Sequence, residues 1–260
     1  MADIRINDAV LYYEEHGSGT PILCVHGTGS SALLWSDAVE ELSWLGRVIL
    51  YDRRGCTRSE LPEPYNVTTI GEHTDDAAAL LRGLGAGPAV VIGRSYGGEI
   101  AVDLLLRYPD MVQALVLLEP SAPALAAEML AWVDDLTARV RAAAAADGPA
   151  ATGDRFGRIV LGDETWEELP EEIRQIFVDN GQAILAELSG GWTRPDADAL
   201  ARVTQPVLLV SAESSPPEFR AADDALAAMI PGVQREIVPG GHLVDPAAPV
   251  VLDFIQSCQR

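Results

Sequence analysis

The sequence predicts an α/β fold, a mostly parallel sheet covered by helices on both faces. Short apolar runs alternate with segments of helical periodicity along most of the 260 residues. Hydrophobic residues make up 48% of the chain and charged residues 22%, as expected for a globular domain with a sizeable core. This length favours one large α/β domain with an insertion over two independent domains.

The individual elements follow from turn and helix-end signals. A hairpin is predicted to open the chain, because Asn7 and Asp8 form a turn signal within residues 4–15. Strands and helices then alternate, and Gly85, Gly87 and Pro109 end two of the helices. The predicted strands are 21–25, 48–51, 89–92, 112–118, 206–210 and 234–238, and the predicted helices are 33–42, 75–84, 98–108, 218–229 and one after His242.

The interval between strands 112–118 and 206–210 is helical in character, at 124–146 and 164–188. Its length of about eighty-five residues is too great for a simple crossover helix. We therefore predict a helical lid at residues 120–203, inserted into a core made of residues 1–119 and 204–260.

The charge balance excludes several classes of function. Arginine and lysine number 18 against 39 acidic residues, a formal net charge of −21, and all 18 cations are arginine. A chain without lysine has no Schiff-base or P-loop lysine. Its acidity argues against nucleic acid or an anionic membrane as a partner. With no leader pattern and no membrane-length apolar stretch, we expect a soluble, cytoplasmic protein.

Cysteine and histidine give no sign of a metal site or disulfide framework. Cys24, Cys56 and Cys258 are odd in number and far apart. The four histidines are not clustered with carboxylates at ligand spacing, so no metal and no cofactor is expected. His16 and His73 are predicted to be surface or capping residues.

The hexapeptide GRSYGG at 93–98 follows a predicted strand and opens a predicted helix. A strand that turns directly into a helix places its apex residue, Ser95, in a strained conformation, with the hydroxyl exposed at the sheet edge. Flanking glycines are needed because side chains there would collide with neighbouring backbone. The alternative is a glycine-rich turn whose serine only caps the helix.

Two further segments support a nucleophilic Ser95. The segment HGTG at 26–29 follows strand 21–25, where the N–H groups of Thr28 and Tyr96 can form an oxyanion hole. His242 lies in a loop after the last strand, from which it can reach a serine at the sheet edge. His26 is expected to make a structural hydrogen bond in the oxyanion turn.

The sequence resembles the α/β-hydrolase superfamily. The resemblance rests on His26-Gly27, Asp52-x-Arg54-Gly55 with Ser59, Gly93-x-Ser95-x-Gly97-Gly98, Pro206-Val207-Leu208-Leu209 and Gly241-His242. It implies an eight-stranded, mostly parallel sheet with the lid inserted after strand 6, and a monomer or homodimer without a cofactor. The chain departs from the family pattern at two positions. Many members have a glycine where this chain has Thr57, and a histidine or another residue with a ring side chain is common where this chain has Arg94. A buried Arg94 needs a carboxylate, so we expect it half-exposed or paired with an acid.

The catalytic acid is the third departure. Most members of the superfamily place it at a position that here is Ser215, and serine cannot stabilise an imidazolium by charge. Glu213 ends the same strand two residues earlier, whereas Glu119 ends the preceding strand, as in a minority of members. We favour Glu119 and keep Glu213 as the alternative. Glu119 as a plain polar strand-end residue also remains open.

The resulting hypothesis is a serine hydrolase that cleaves a carboxylic ester or lactone of a hydrophobic small molecule through an acyl-enzyme. The candidate pocket residues are His26, Gly27, Arg94, Trp132, Trp166 and Trp192, although packing within the lid is the alternative for each tryptophan. The negative field disfavours anionic substrates unless Arg53, Arg54 or Arg94 offsets it locally.

Two alternatives keep the same fold. An acyltransferase or thioesterase would use the same triad with another acceptor or leaving group. A non-catalytic small-molecule-binding homologue would account for the missing acid at position 215.

Overall fold

The computed structural model describes residues 1–259, and these contain one eight-stranded sheet. The strands are β1 (Ala2–Ile6), β2 (Ala9–His16), β3 (Pro21–Val25), β4 (Arg47–Tyr51), β5 (Ala89–Arg94), β6 (Val112–Leu118), β7 (Val207–Ala212) and β8 (Gln234–Val238). Their order is β1-β2-β4-β3-β5-β6-β7-β8. Strand β2 runs antiparallel to both of its neighbours, and all other pairs are parallel. The predicted fold class is confirmed.

Helices cover both faces of the sheet. They are α1 (Val39–Leu45), α2 (Ile70–Gly83), α3 (Tyr96–Arg107), α4 (Ala127–Asp147), α5 (Pro149–Leu161), α6 (Asp163–Glu168), α7 (Glu171–Asp179), α8 (Gly181–Ser189), α9 (Ala197–Leu200), α10 (Pro217–Met229) and α11 (Pro249–Cys258). Helices α2, α3 and α10 bury apolar residues on one face, and α1 and α11 do so on the other. Along β5, Val91 faces the first layer and Ile92 the second, which is the two-residue period of a strand buried on both sides.

Helices α4 to α9 lie between β6 and β7, within the segment predicted as a lid. Helices α4, α5, α6, α7 and α8 contribute to an apolar cluster of their own. The sequence does not predict helix α5, because Gly153 and Gly157 weaken its helical pattern. A Cβ at Gly157 would lie 2.0 Å from the Trp166 ring, and one at Gly153 would lie 2.0 Å from the Phe177 carbonyl oxygen. Both glycines therefore allow close helix packing.

Helix α2 begins five residues before its predicted start. Thr69 accepts a hydrogen bond from the Glu72 N–H, while the Glu72 carboxylate accepts one from the Thr69 N–H. This capping box places His73 in the first turn, where it is buried and not at the surface as predicted. Within residues 1–259, no helix has the length and apolarity needed to span a bilayer.

Candidate active site

Ser95 occupies a strained turn between β5 and α3. Its φ and ψ are 53° and −122°, in a region that L-residues rarely adopt. A Cβ at Gly97 would lie 2.2 Å from the Val25 carbonyl oxygen, and one at Gly93 would lie 2.4 Å from the Gly97 carbonyl oxygen. The glycines flanking Ser95 are therefore required by close backbone approach, as the motif predicts. The serine lies at the positive end of the α3 dipole.

His242 lies against a fully buried carboxylate. Its Nδ1 is 3.4 Å from Oε2 of Glu119, whose side chain is 0% exposed. The other carboxylate oxygen, Oε1, accepts a hydrogen bond of 2.6 Å from the Ala212 N–H, which fixes the orientation of the carboxylate. The Phe219 ring packs 4.6 Å from the His242 ring, between centroids. Glu119 itself has a φ of 50°, so two adjacent strand ends of this site carry backbone strain.

Glu213 lies elsewhere. Its side chain is exposed at the end of β7, where its N–H donates to the Val238 carbonyl and its own carbonyl accepts from Arg220. The structure thus brings Glu119, and not the alternative acid Glu213, beside His242. The chain separation of 123 residues explains why sequence alone left both open.

The segment after β3 packs directly against the serine. A Cβ at Gly27 would lie 3.2 Å from the Ser95 Cβ and 3.8 Å from its Oγ. Thr28 and Tyr96 line the same cavity as Ser95. Tyr96 is the first residue of α3, so its N–H has no partner within the helix. The structure brings both predicted oxyanion residues to the serine.

Ser95 stands where two cavities meet. One, the Trp132 lobe, is lined mainly by apolar side chains of the predicted lid, among them Trp132 and Trp192. The other, the Arg94 lobe, is lined by Gly27, Arg94 and His242 together with apolar side chains, among them Leu34 and Phe177. A nucleophile between two lobes can hold the two halves of a cleavable substrate on either side.

Two residues proposed for the pocket line neither lobe. His26 is 1% exposed, and its Nε2 accepts a hydrogen bond of 2.9 Å from the Arg53 N–H. Burial and the nearby Arg53 charge hold the pKa of His26 well below its ordinary value, so the ring is a neutral structural element. Trp166 is also 1% exposed, donates to the Asp154 carboxylate, and packs against Phe177 of helix α7.

A buried ion pair joins the predicted lid to the core, and no sequence signal identified it. Nη2 of Arg53 lies 2.8 Å from Oε1 of Glu187, and both side chains are fully buried. Burial raises the pKa of Glu187, and the Arg53 charge and the Thr28 hydroxyl oppose this. Since Thr28 is an oxyanion candidate, the pair supports the loop that carries it.

Asn180 makes a second, equally unpredicted connection. Its Nδ2 donates to the carbonyl oxygens of Gly29 and Ser30, at 3.1 and 2.9 Å. Its Oδ1 accepts a 2.7 Å hydrogen bond from the N–H of Thr57. Thr57 has a φ of 46°, a backbone conformation that favours glycine. This explains why glycine is common at this position in the family that the sequence resembles. The threonine therefore alters the loop, which Asn180 stabilises.

A further buried carboxylate, Asp223, is near enough to Glu119 to be affected by its charge. The Ser211 hydroxyl donates to Asp223, which is 0% exposed. Burial, together with the Glu119 charge, raises the pKa of Asp223 to about 8. Asp223 is therefore mostly protonated at neutral pH.

Arg94 is neither half-exposed nor paired with an acid, contrary to expectation. It is 6% exposed, its Nη2 donates to the Val244 carbonyl oxygen at 2.6 Å, and its guanidinium lies 4.8 Å from the Trp35 ring centroid. Within residues 1–259, Arg94 forms no ion pair with a carboxylate, although the charge of Asp245 acts on it from a greater distance. Burial lowers the pKa of Arg94 to about 10, at which the group is still cationic near neutral pH.

Comparison with known proteins supports a hydrolase-type fold. A family model described as the alpha/beta hydrolase fold matches residues 20–244. The chain is 36% identical to the uncharacterized hydrolase YraK of Bacillus subtilis over 117 residues, which are 45% of this chain and 43% of YraK. It is 28% identical over 264 aligned positions to 2-(acetamidomethylene)succinate hydrolase of Mesorhizobium japonicum, covering 95% of this chain and 90% of that one.

Among solved structures, a thermophilic esterase from Thermogutta terrifontis, described as malate bound, superposes with a TM-score of 0.78. The two chains are 26% identical, and the superposition covers 100% of this chain and 97% of the esterase. The match to YraK spans less than half of either chain, whereas the superposition with the esterase extends over nearly the whole of both chains.

Proposed function

This chain belongs to the alpha/beta hydrolase fold family, and we propose that it is a serine hydrolase that cleaves a carboxylic ester or lactone of a hydrophobic small molecule. One observation carries the proposal. A strained Ser95 at the head of α3 lines one cavity with Thr28 and with a His242 whose Nδ1 faces the buried Glu119 carboxylate. One relative that aligns along 95% of this chain is named a hydrolase, and another with the same coverage of this chain is named a putative non-heme chloroperoxidase.

The proposed reaction uses only side chains and backbone of this chain. Ser95 Oγ attacks the carbonyl carbon while Nε2 of His242 takes the hydroxyl proton. Glu119 accepts the Nδ1–H of the ring and stabilises the imidazolium. The Thr28 and Tyr96 N–H groups hold the oxyanion, each contributing about 3 kcal/mol to transition-state stabilisation. The imidazolium then protonates the leaving alcohol, which departs and leaves an acyl-serine.

Water completes the cycle by the reverse relay. His242 takes a proton from the water, hydroxide adds to the acyl carbon, and the second tetrahedral intermediate expels the serine oxygen. The serine regains its proton from His242, and the product is a carboxylic acid. No cofactor enters this balance.

The cavity supports an apolar substrate. Most side chains of the Trp132 lobe are hydrophobic, with Met129, Phe156 and Phe219 beside Trp132 and Trp192. Such a lobe binds a hydrophobic acyl or ring group by removing apolar area from water.

The test is labelling with a serine-directed fluorophosphonate, followed by stopped-flow hydrolysis of 4-nitrophenyl esters of two to eight carbons. We expect stoichiometric labelling and a burst of one 4-nitrophenolate per chain, both abolished in Ser95→Ala. Labelling that persists in Ser95→Ala would move the nucleophile elsewhere. No labelling and no burst in the wild type would refute the hydrolase and favour the binding homologue. Acyl transfer to an added alcohol faster than to water would identify an acyltransferase.

A further inference from the structure

Three arginines are buried within residues 1–259, and they differ in their partners. Arg53 pairs with Glu187 at 2.8 Å, and Arg54 pairs with Asp76 at 2.6 Å. Arg94 has no such partner. Burying a cation is costly unless an anion compensates it, so Arg94 is the exception that calls for an explanation.

The protein groups around Arg94 satisfy it only in part. Nη2 donates to the Val244 carbonyl and the Trp35 ring lies under the guanidinium, but Nε has no protein acceptor. Asp245 attracts the charge from beyond ion-pair distance and is itself exposed. A guanidinium has five N–H donors arranged for bidentate binding of a carboxylate, and at least one stays unused here.

The position of Arg94 connects this unused capacity to the reaction. Arg94 directly precedes Ser95 in the chain and lines the Arg94 lobe together with Ser95 and His242. The same lobe lies near the N-terminus of the twelve-residue α3, whose dipole also favours an anion. The Arg94 charge and the α3 dipole thus both favour an anion in this otherwise largely apolar lobe, inside a chain of net charge −21.

We propose that Arg94 binds a carboxylate of the substrate. The substrate class is then an ester or lactone with an apolar part for the Trp132 lobe and a carboxylate for the Arg94 lobe. The chemistry of the bond cleaved rests on the proposed function, whereas the carboxylate subsite does not. The negative surface would otherwise repel such a substrate, and Arg94 provides the compensating charge where it is least screened by solvent.

The experiment compares substrates that differ only in charge. One pair is monobenzyl glutarate and its terminal amide, and the other is the hexanoyl esters of glycolate and glycolamide, which place the carboxylate on opposite sides of the scissile bond. Acid release is measured for wild type, Arg94→Met, Arg94→Lys and Arg82→Met. Arg82 is an exposed residue of α2, so Arg82→Met changes the net charge equally without touching the site.

We expect Arg94→Met to lower kcat/KM for the carboxylate member of one pair about tenfold or more beyond its effect on the amide. Arg94→Lys should restore part of the preference, and Arg82→Met should leave it unchanged. Added salt should not remove the preference, because a buried charge is screened far less than a surface one. An equal loss on both members would show that Arg94 only anchors the His242 loop through Val244, and no loss would also overturn the proposal.

A binding measurement separates this proposal from the hydrolase assignment. If the wild type releases acid from none of the esters, the hydrolase proposal fails while the subsite remains testable. Calorimetric titration with glutarate and with glutaramide then decides. Binding of glutarate to wild type that is lost in Arg94→Met supports the subsite, and equal or absent binding in the two proteins overturns it.

Discussion

Replacing Glu119 by glutamine tests whether this carboxylate orients His242. The two side chains have nearly the same size, so the change removes the charge with little effect on packing. Only the electrostatics and the donor–acceptor pattern of the buried contact change.

The structure dictates how the amide would orient. Oε1 of Glu119 accepts from the Ala212 N–H at 2.6 Å, and a glutamine must keep its carbonyl oxygen there to avoid two donors facing each other. Its NH₂ group then faces Nδ1 of His242 and requires Nδ1 to be an acceptor. The proton moves to Nε2, which can no longer take the proton of Ser95.

The expected loss of acylation rate is about 10³- to 10⁴-fold, or about 4 to 5.5 kcal/mol. It combines the wrong tautomer with the loss of charge stabilisation of the imidazolium. Stopped-flow acylation by a 4-nitrophenyl ester measures it directly. Circular dichroism and thermal unfolding establish that the variant is folded.

Glu213→Gln is the matched control, because it makes the same chemical change on an exposed side chain at the end of β7. It should leave the acylation rate within about twofold of wild type. An acylation rate for Glu119→Gln within about threefold of wild type, or a large loss in Glu213→Gln, would refute the assignment of the acid.

Three further predictions concern stability and the lid. Gly97→Ala places a Cβ 2.2 Å from the Val25 carbonyl oxygen, so chemical denaturation should show a loss of more than about 2 kcal/mol, whereas unchanged stability would contradict the geometry. Glu187→Gln leaves Arg53 buried without its counterion and should cost about 3 to 5 kcal/mol by the same method. For Asp223 the folded pKa is raised to about 8 from an ordinary 3.8, so the folded state holds the proton more tightly. Stability should therefore fall as pH rises from about 4 to 8, and Asp223→Asn should remove that slope in unfolding measured across this range.

Short-range patterns explain why most of the fold was predictable. Strands β3, β5 and β7 each contain an apolar run of at least four residues, and the predicted ends of these strands lie within two residues of the observed ones. The sequence predicts the start of α2 five residues too late and does not predict α5. Each difference has a local cause that helix propensity alone does not show. The capping box at Thr69 extends one helix, and close packing against Trp166 explains the glycine inside the other.

The sequence by itself determined the elements whose causes lie within a few residues. The turn around Ser95 needs glycines because its own backbone approaches its neighbours, so the motif alone predicted the strained turn and placed Ser95 at its apex. His242 and the Thr28 loop follow from their positions after strands, since parallel strands bring their carboxyl ends to one edge.

Tertiary structure alone decided which distant groups meet. Glu119 reaches His242 across 123 residues, and Trp166 packs among helices α4 to α8 while Trp132 and Trp192 line the cavity. Likewise, only the spatial neighbours of Arg94 show that this buried arginine has no carboxylate as an ion-pair partner. Such contacts depend on how whole elements pack, because burial and partner distance are properties of the assembled layers and not of a sequence window.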